Sequence, residues 1–184
     1  MIENRNDLKE YIEYEAKKYG LKSSKTPLFL LREKDILWKY NKILRKAEYY
    51  HNTNNRLFRA LYKFKLNRLS NKYSIHIPMN TFDKGLKLMH VGPILVNGHV
   101  KAGKDISLHI NTCIAAGGTN NNAPHLGNNI VVGVGAVILG DVYVPDYCAI
   151  GANAVVNKSF SEKNITIAGI PAKKISNNGY NDWK

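Results

Sequence analysis

The chain has 184 residues, a formal charge of +13 and a 44% apolar content, enough for one well-buried core and too apolar for wholesale disorder. Two cysteines, Cys113 and Cys148, both lie in apolar-rich segments, which predicts packed, reduced thiols and excludes a disulfide scaffold. No run approaches the roughly 18–20 apolar residues of a membrane span, and the start Met1-Ile2-Glu3-Asn4-Arg5 lacks signal-peptide order, so a soluble cytoplasmic protein is expected.

The first 70 residues hold 17 Lys/Arg against 8 Asp/Glu, most of the positive excess. Leu8, Tyr11, Ile12 and Tyr19 fall near helical spacing after a start at Asn6 or Asp7. Thr26-Pro27 breaks that pattern. Ile36-Leu37, Tyr40, Ile43-Leu44 and Ala47 then mark one apolar stripe, and Leu57-Phe58, Leu61-Tyr62, Phe64 and Leu69 another. With Asn52-Thr53-Asn54-Asn55 as a turn, two antiparallel amphipathic helices follow. The charge reads as a solvated helical face, or as attraction to an anionic partner: CoA phosphates, an acidic polysaccharide or a lipid carrier at a membrane surface.

Beyond Asn71 charge thins, and Val, Ile, Gly, Asn and Ala dominate. The divisions expected are a helical region over 1–72, a repeat domain over 73–175 and a tail over 176–184. From Leu126 every sixth residue is aliphatic: Leu126, Val132, Ile138, Val144, Ile150 and Val156. Four places after each comes Ile130, Ala136, Val142, Cys148 or Ala154, and upstream Val96, Ala102, Leu108 and Ile114 keep the same step. Six residues form one flat side of a triangular coil, and about 18 complete a turn. Neither a 3.6-residue helical period nor a two-residue strand period gives strict sixes. The expected fold class is mainly β, a left-handed parallel β-helix with an N-terminal α-helical region. Residues 118–125, Gly-Thr-Asn-Asn-Asn-Ala-Pro-His, interrupt the hexads and read as a loop projecting from the column.

A column filled with aliphatics must bind ligands on its outside, between prisms in a closed threefold association. Histidines are the first candidates for proton transfer. His51 falls at a helix end, His76 at the domain junction and His99 on a coil, where structural or solvent roles suffice. His109 follows the inward Leu108 and should point sideways or outward. His125 sits in the projecting loop, placed for a substrate contact, and Asn111 joins these two as a candidate acceptor contact. His90 lies in the extended segment Gly85-Leu-Lys-Leu-Met-His-Val-Gly at the mouth of the first coil, and spacing alone does not single it out. No Cys/His/carboxylate cluster has metal-ligand spacing, so no metal site is expected. No Gly-x-Ser-x-Gly elbow appears either.

Four segments carry a resemblance: Leu86-Lys-Leu-Met-His90, Ile114-Ala-Ala-Gly-Gly-Thr119, Gly133-Val-Gly-Ala-Val-Ile-Leu-Gly-Asp141 and Ala168-Gly-Ile-Pro-Ala-Lys-Lys-Ile175. Over residues 70–175 the chain resembles the hexapeptide-repeat acyltransferases, in their serine O-acetyltransferase-like branch. The resemblance implies a homotrimer, with the pairing of two trimers through the N-terminal helices left open, and acetyl-CoA as co-substrate with no tightly bound cofactor. It implies His90 as the base that deprotonates an acceptor hydroxyl. It also implies Gly117, Gly118, Gly135, Ala136 and Ala154 along the acetyl-CoA arm, and Lys173 and Lys174 near the CoA phosphates. Serine enzymes of this branch carry Asp before the catalytic His and Arg-His-Pro in the loop. Here Met89 and Asn122-Ala123-Pro124 stand instead, with His125 next. Groups for serine's ammonium and carboxylate are therefore missing, and a buried unpaired charge is costly. The expectation is acetyl transfer to a hydroxylated small molecule or glycan, such as a surface-polysaccharide precursor. Serine acetylation for cysteine synthesis is the alternative, and a scaffold with a basic binding face the non-enzymatic one. No nucleic-acid partner is expected.

Overall fold

The computed structural model describes residues 1–21, 32–118 and 122–183. The predicted break at Thr26-Pro27 lies outside the described residues. Three helices open the chain: α1 (Arg5–Lys18), α2 (Glu33–Asn52) and α3 (Arg56–Tyr73). The first starts earlier than the Asn6 or Asp7 expected. Asn4 caps it, accepting from the N–H groups of Asn6 and Asp7, while the Asp7 carboxylate returns to the Asn4 N–H. This reciprocal arrangement satisfies donors that a bare helix end leaves unpaired. Asn55 caps α3 by accepting from Phe58 N–H.

The rest of the chain winds into stacked coils with three faces. The first face holds β1 (Ile75–His76), β3 (Ile94–Val96), β6 (Thr112–Ala115), β9 (Val137–Leu139) and β12 (Val155–Val156). The second holds β2 (Lys87–Leu88), β5 (Ile106–Leu108), β8 (Ile130–Val132), β11 (Ala149–Ile150), β13 (Thr166–Gly169) and β14 (Ala172–Ser176). The third holds β4 (Lys101–Ala102), β7 (His125–Leu126) and β10 (Tyr143–Val144). All named pairings are parallel except the closing β13–β14 hairpin. The architecture is the left-handed parallel β-helix with a helical N-terminal region.

The hexad residues fill the column. Leu126, Val132, Ile138, Val144, Ile150 and Val156 are all 0% exposed. At the four-on positions Ile130, Ala136, Cys148 and Ala154 are equally closed, and Val142 nearly so. Ala102, also in the hexad register, is only half-buried. Each fully buried aliphatic side chain contributes roughly 1.5–3 kcal/mol of transfer free energy, so the repeat is the stabilising device. The regular coils step by 18 residues, as in Val137↔Val155, while the end coils depart from it, as in Lys87↔Ser107 and Ala149↔Thr166. The coil holding the predicted loop steps by 24, as in Cys113↔Val137 and Lys101↔His125. One hexad's worth of chain therefore leaves the column there. Of this loop, residues 119–121 lie outside the described residues. Both cysteines are free thiols. The last segment ends in a 3-10 turn over Tyr180–Trp183, with Tyr180 buried and its N–H on Tyr147 O at 2.8 Å.

A buried ionic network joins the helices to the first coil. Arg45 of α2, 0% exposed, donates to Glu15 of α1 at 2.7 Å and Glu48 at 2.8 Å. Its remaining donors reach Phe82 O and Asp83 O. The Glu15 carboxylate also accepts from the N–H groups of Gly85 and Leu86. Every polar partner is provided, which is what makes buried charge tolerable.

Candidate functional site

The site grows from one corner of the column, where the second face turns into the first. Left-handed residues make the turn: Asn111 (φ 60°), Gly135 (φ 71°) and Asn153 (φ 56°), one per coil. Asn and Gly tolerate this region at low cost. Immediately before the corner the coils stack tightly. Met89 N–H bonds Leu108 O, His109 N–H bonds Val132 O, and Gly133 N–H bonds Ile150 O. A Cβ on Gly133 would stand 2.8 Å from Ala152 N and Ile150 O, so only glycine lets the coils below His109 close.

This stacking brings His90 and His109 together, with ring centroids 6.2 Å apart. The His90 side chain is about half exposed, and its Nδ1 lies 3.2 Å from Glu33 Oε2. Glu33 opens α2, and its Oε1 accepts from Val91 N–H at 2.7 Å. The Val91 amide, and then the His90 ring, hold the Glu33 carboxyl below the usual carboxylate range; the helix N-terminus also favours its charge. Sequence reasoning missed Glu33. Its acidity in a first helical turn was visible, but its pairing with a residue 57 positions away was not. With Nδ1 turned to this carboxylate, Nε2 is the ring nitrogen of His90 that Glu33 does not engage.

His109 is partly buried, and its Nδ1 has no hydrogen-bond partner. Burial, then the neighbouring His90 and Lys87, hold its pKa below the ordinary value of 6.5. A groove of about 410 Å³ runs from His109 and Met89 across the second face. Lys87 and Ser107 form its floor, with Tyr14 and Lys18 of α1 on one wall and Tyr180 on another. Lys18 is occupied by Asp105 at 2.6 Å. Lys87 has no ion-pair partner among the described residues. No group of three or more His, Cys, Asp or Glu placed to hold a metal occurs among the described residues.

The other expected residues are distributed differently. His125 does not sit in the projecting loop. It begins β7 on the third face, edge-on to Tyr143 at 5.6 Å, beside a hollow of about 530 Å³. The hexad register resumes one residue earlier than the loop's polar composition suggests, and Leu126 needs His125 extended beside it. Asn111 is exposed and serves the corner, its N–H on Pro93 O at 2.6 Å. Ala136 and Ala154 follow that same corner, but their methyls face the core. Their carbonyls accept from Cys113 and Val137 N–H, so any ligand meets only their backbone edge and the partly exposed Gly135. Gly117 and Gly118 lie at the far end of β6, exposed, with Gly117 packed on Gly140 Cα. Lys173 is exposed on the closing hairpin, whereas Lys174 is engaged by Glu162.

No family model matches the chain. It is 30% identical over 155 residues to a serine acetyltransferase of Buchnera aphidicola subsp. Acyrthosiphon pisum, covering 82% of this chain and 54% of that one. It is 28% identical over 88 residues to the putative colanic acid biosynthesis acetyltransferase WcaB of Escherichia coli K12, covering 47% and 54%. Among solved structures, a Brucella abortus serine acetyltransferase in complex with coenzyme A aligns with a TM-score of 0.72 at 21% identity, over 95% of this chain and 68% of that one. The chain spans about half the length of the curated relatives it matches. In its hexad-built column and in these likenesses, the chain is similar to the hexapeptide-repeat acyltransferases of the serine O-acetyltransferase-like branch.

Proposed function

We propose that this protein is an acetyl-CoA-dependent O-acetyltransferase that works as a trimer, with His90 as general base. The observation that carries the reading is the Glu33–His90 pair, held at a glycine-lined corner beside an open groove. His90 takes the proton of the acceptor hydroxyl through the nitrogen not facing Glu33. The hydroxyl oxygen attacks the thioester carbonyl, the C–S bond breaks, and the proton passes to the departing thiolate. An N–H of Gly117 or Gly118, both exposed after β6, receives the developing oxyanion in this reading, from this chain or a neighbour. Lys173 offers a cation to the CoA phosphates, and His125 and Asn111 stand as acceptor contacts supplied across the trimer interface.

For the acceptor, a sugar hydroxyl of a surface-polysaccharide precursor fits the residues better. Met89 offers no carboxylate to an ammonium group, and Asn122-Ala123-Pro124 offers no guanidinium to a carboxylate. The unpaired Lys87 in the groove suits an acceptor bearing a phosphate or carboxylate. Serine is the second reading, favoured by the names of the relatives just described. Thiol release from acetyl-CoA, measured with serine, nucleotide sugars and glycan fragments in parallel, separates them. Turnover with serine alone would retire the glycan reading; no thiol release with any hydroxyl acceptor would retire both.

A further inference from the structure

The fold leaves one face of α3 unexplained. The helix packs through Leu66 and Ser70, supported by the partly buried Tyr62, Leu69 and Tyr73. On the opposite side Leu57, Leu61 and Phe64, at i, i+4 and i+7, form an apolar stripe that is 76%, 40% and 63% exposed. Phe58, 41% exposed and stacked on Tyr50 at 5.0 Å, widens it. Burying one face of a helix requires only one apolar stripe, and a second that remains in water marks a contact surface.

The charge around the stripe is of one sign. Over its 18 residues α3 carries Arg56, Arg59, Lys63, Lys65, Arg68 and Lys72, and no acidic residue. Beside it, Lys39, Lys42, Lys46 and Lys65 line a small cleft between α2 and α3, of about 220 Å³, with no acid among its lining residues. Burial, and after it the nearby Lys46, lower the pKa of Lys42.

These observations select the partner. A second copy of the same face would set six cations against six with no counter-charge, so self-pairing is opposed. Nucleic acid would want the cations at the centre of the footprint, where phosphates lie; here the centre is Leu57, Leu61 and Phe64 and the cations form the rim. An apolar stripe rimmed by Lys and Arg is the pattern of a helix lying in a membrane interface. We propose that α3 docks this protein on an anionic phospholipid surface. Leu57, Leu61 and Phe64 enter the boundary between headgroups and acyl chains, and Arg56, Lys63, Arg68 and Lys72 meet lipid phosphates. This is independent of the acceptor assigned above, and it would bring the groove to any acceptor carried on a lipid.

Flotation of the full chain with vesicles tests it. The protein should rise with phosphatidylglycerol/phosphatidylethanolamine vesicles and stay behind with phosphatidylcholine alone, and high salt should weaken the binding. Leu57→Ser with Phe64→Ser, and separately Lys63→Glu with Arg68→Glu, should each weaken binding by about tenfold or more. Their thermal transitions and thiol-release rates with a soluble acceptor should be unchanged, because these side chains are exposed. The proposal is overturned if the wild type fails to float with anionic vesicles at low salt. It is also overturned if the serine pair leaves flotation intact, or if that pair instead dissolves a self-association seen in sedimentation.

Discussion

Glu33 Oε2 lies 3.2 Å from His90 Nδ1, so a residue opening the second helix holds the imidazole at the mouth of the first coil. The same carboxylate accepts Val91 N–H at 2.7 Å. It therefore fixes both the ring and the backbone that carries it, the arrangement by which a carboxylate would orient the base proposed above without moving a proton itself.

Replacing His90 by Ala should lower the rate of thiol release by roughly 10²–10⁴, the usual worth of a positioned base. Glu33→Gln should lower kcat by roughly tenfold or more, though less than His90→Ala, with KM for acetyl-CoA little changed. Glu33→Asp should recover part of the loss. An unchanged kcat in Glu33→Gln would leave Glu33 the structural role of holding the Val91 backbone alone.

His109 gives stability a pH dependence of known sign. Its pKa is depressed in the folded state, so the folded protein binds that proton less readily than the unfolded chain. The contribution is complete above the ordinary value of 6.5 and is lost as pH falls through the lower folded value. Glu33, also depressed, acts in a separate window: its contribution is present above 4.5 and lost below. The thermal midpoint measured from pH 7.5 to 5.5 should fall less steeply in His109→Gln than in the wild type. Parallel curves would remove His109 as the cause.

The buried network predicts an asymmetric response. Arg45→Met leaves Glu15 and Glu48 buried without their partner and should cost about 3–5 kcal/mol, read as a lower urea midpoint. Adding Glu15→Gln and Glu48→Gln to that variant should return part of the loss, since neutral amides are cheaper to bury than unpaired carboxylates. A triple variant less stable than the single one would contradict this account.

Gly133 tests the stacking beneath the site. Gly133→Val should cost about 1–3 kcal/mol, because its Cβ would stand 2.8 Å from the backbone of the next coil and force the coils apart. It should also reduce turnover by displacing His109. Gly118→Ala meets nothing within 4 Å among the described residues, so its cost should be limited to the strain of a left-handed residue, roughly 1–2 kcal/mol.

The hexads were legible because each coil encodes its own burial. Leu126 through Val156 must leave water on a six-residue period whatever the rest of the chain does, and the interruption after Gly117 shows as a missing aliphatic. The helices and the Asn52–Asn55 turn were legible for the same local reason. His125 was misplaced into the loop because polar composition does not reveal where an extended register resumes. Lys174, which the resemblance places near the CoA phosphates, is engaged by Glu162 twelve residues away, a contact no local period records.

By itself, then, the sequence determined the three-sided column and its helical preface, since these follow from periodicity; His90 came forward only through what the family resemblance implies. The tertiary structure alone decided that Glu33 meets His90, that Arg45 joins α1, α2 and the first coil, and that α3 turns a second apolar stripe to solvent. Those outcomes depend on how the helices dock against the coils. Docking is set by shape and charge between segments far apart in the chain, which no local period records.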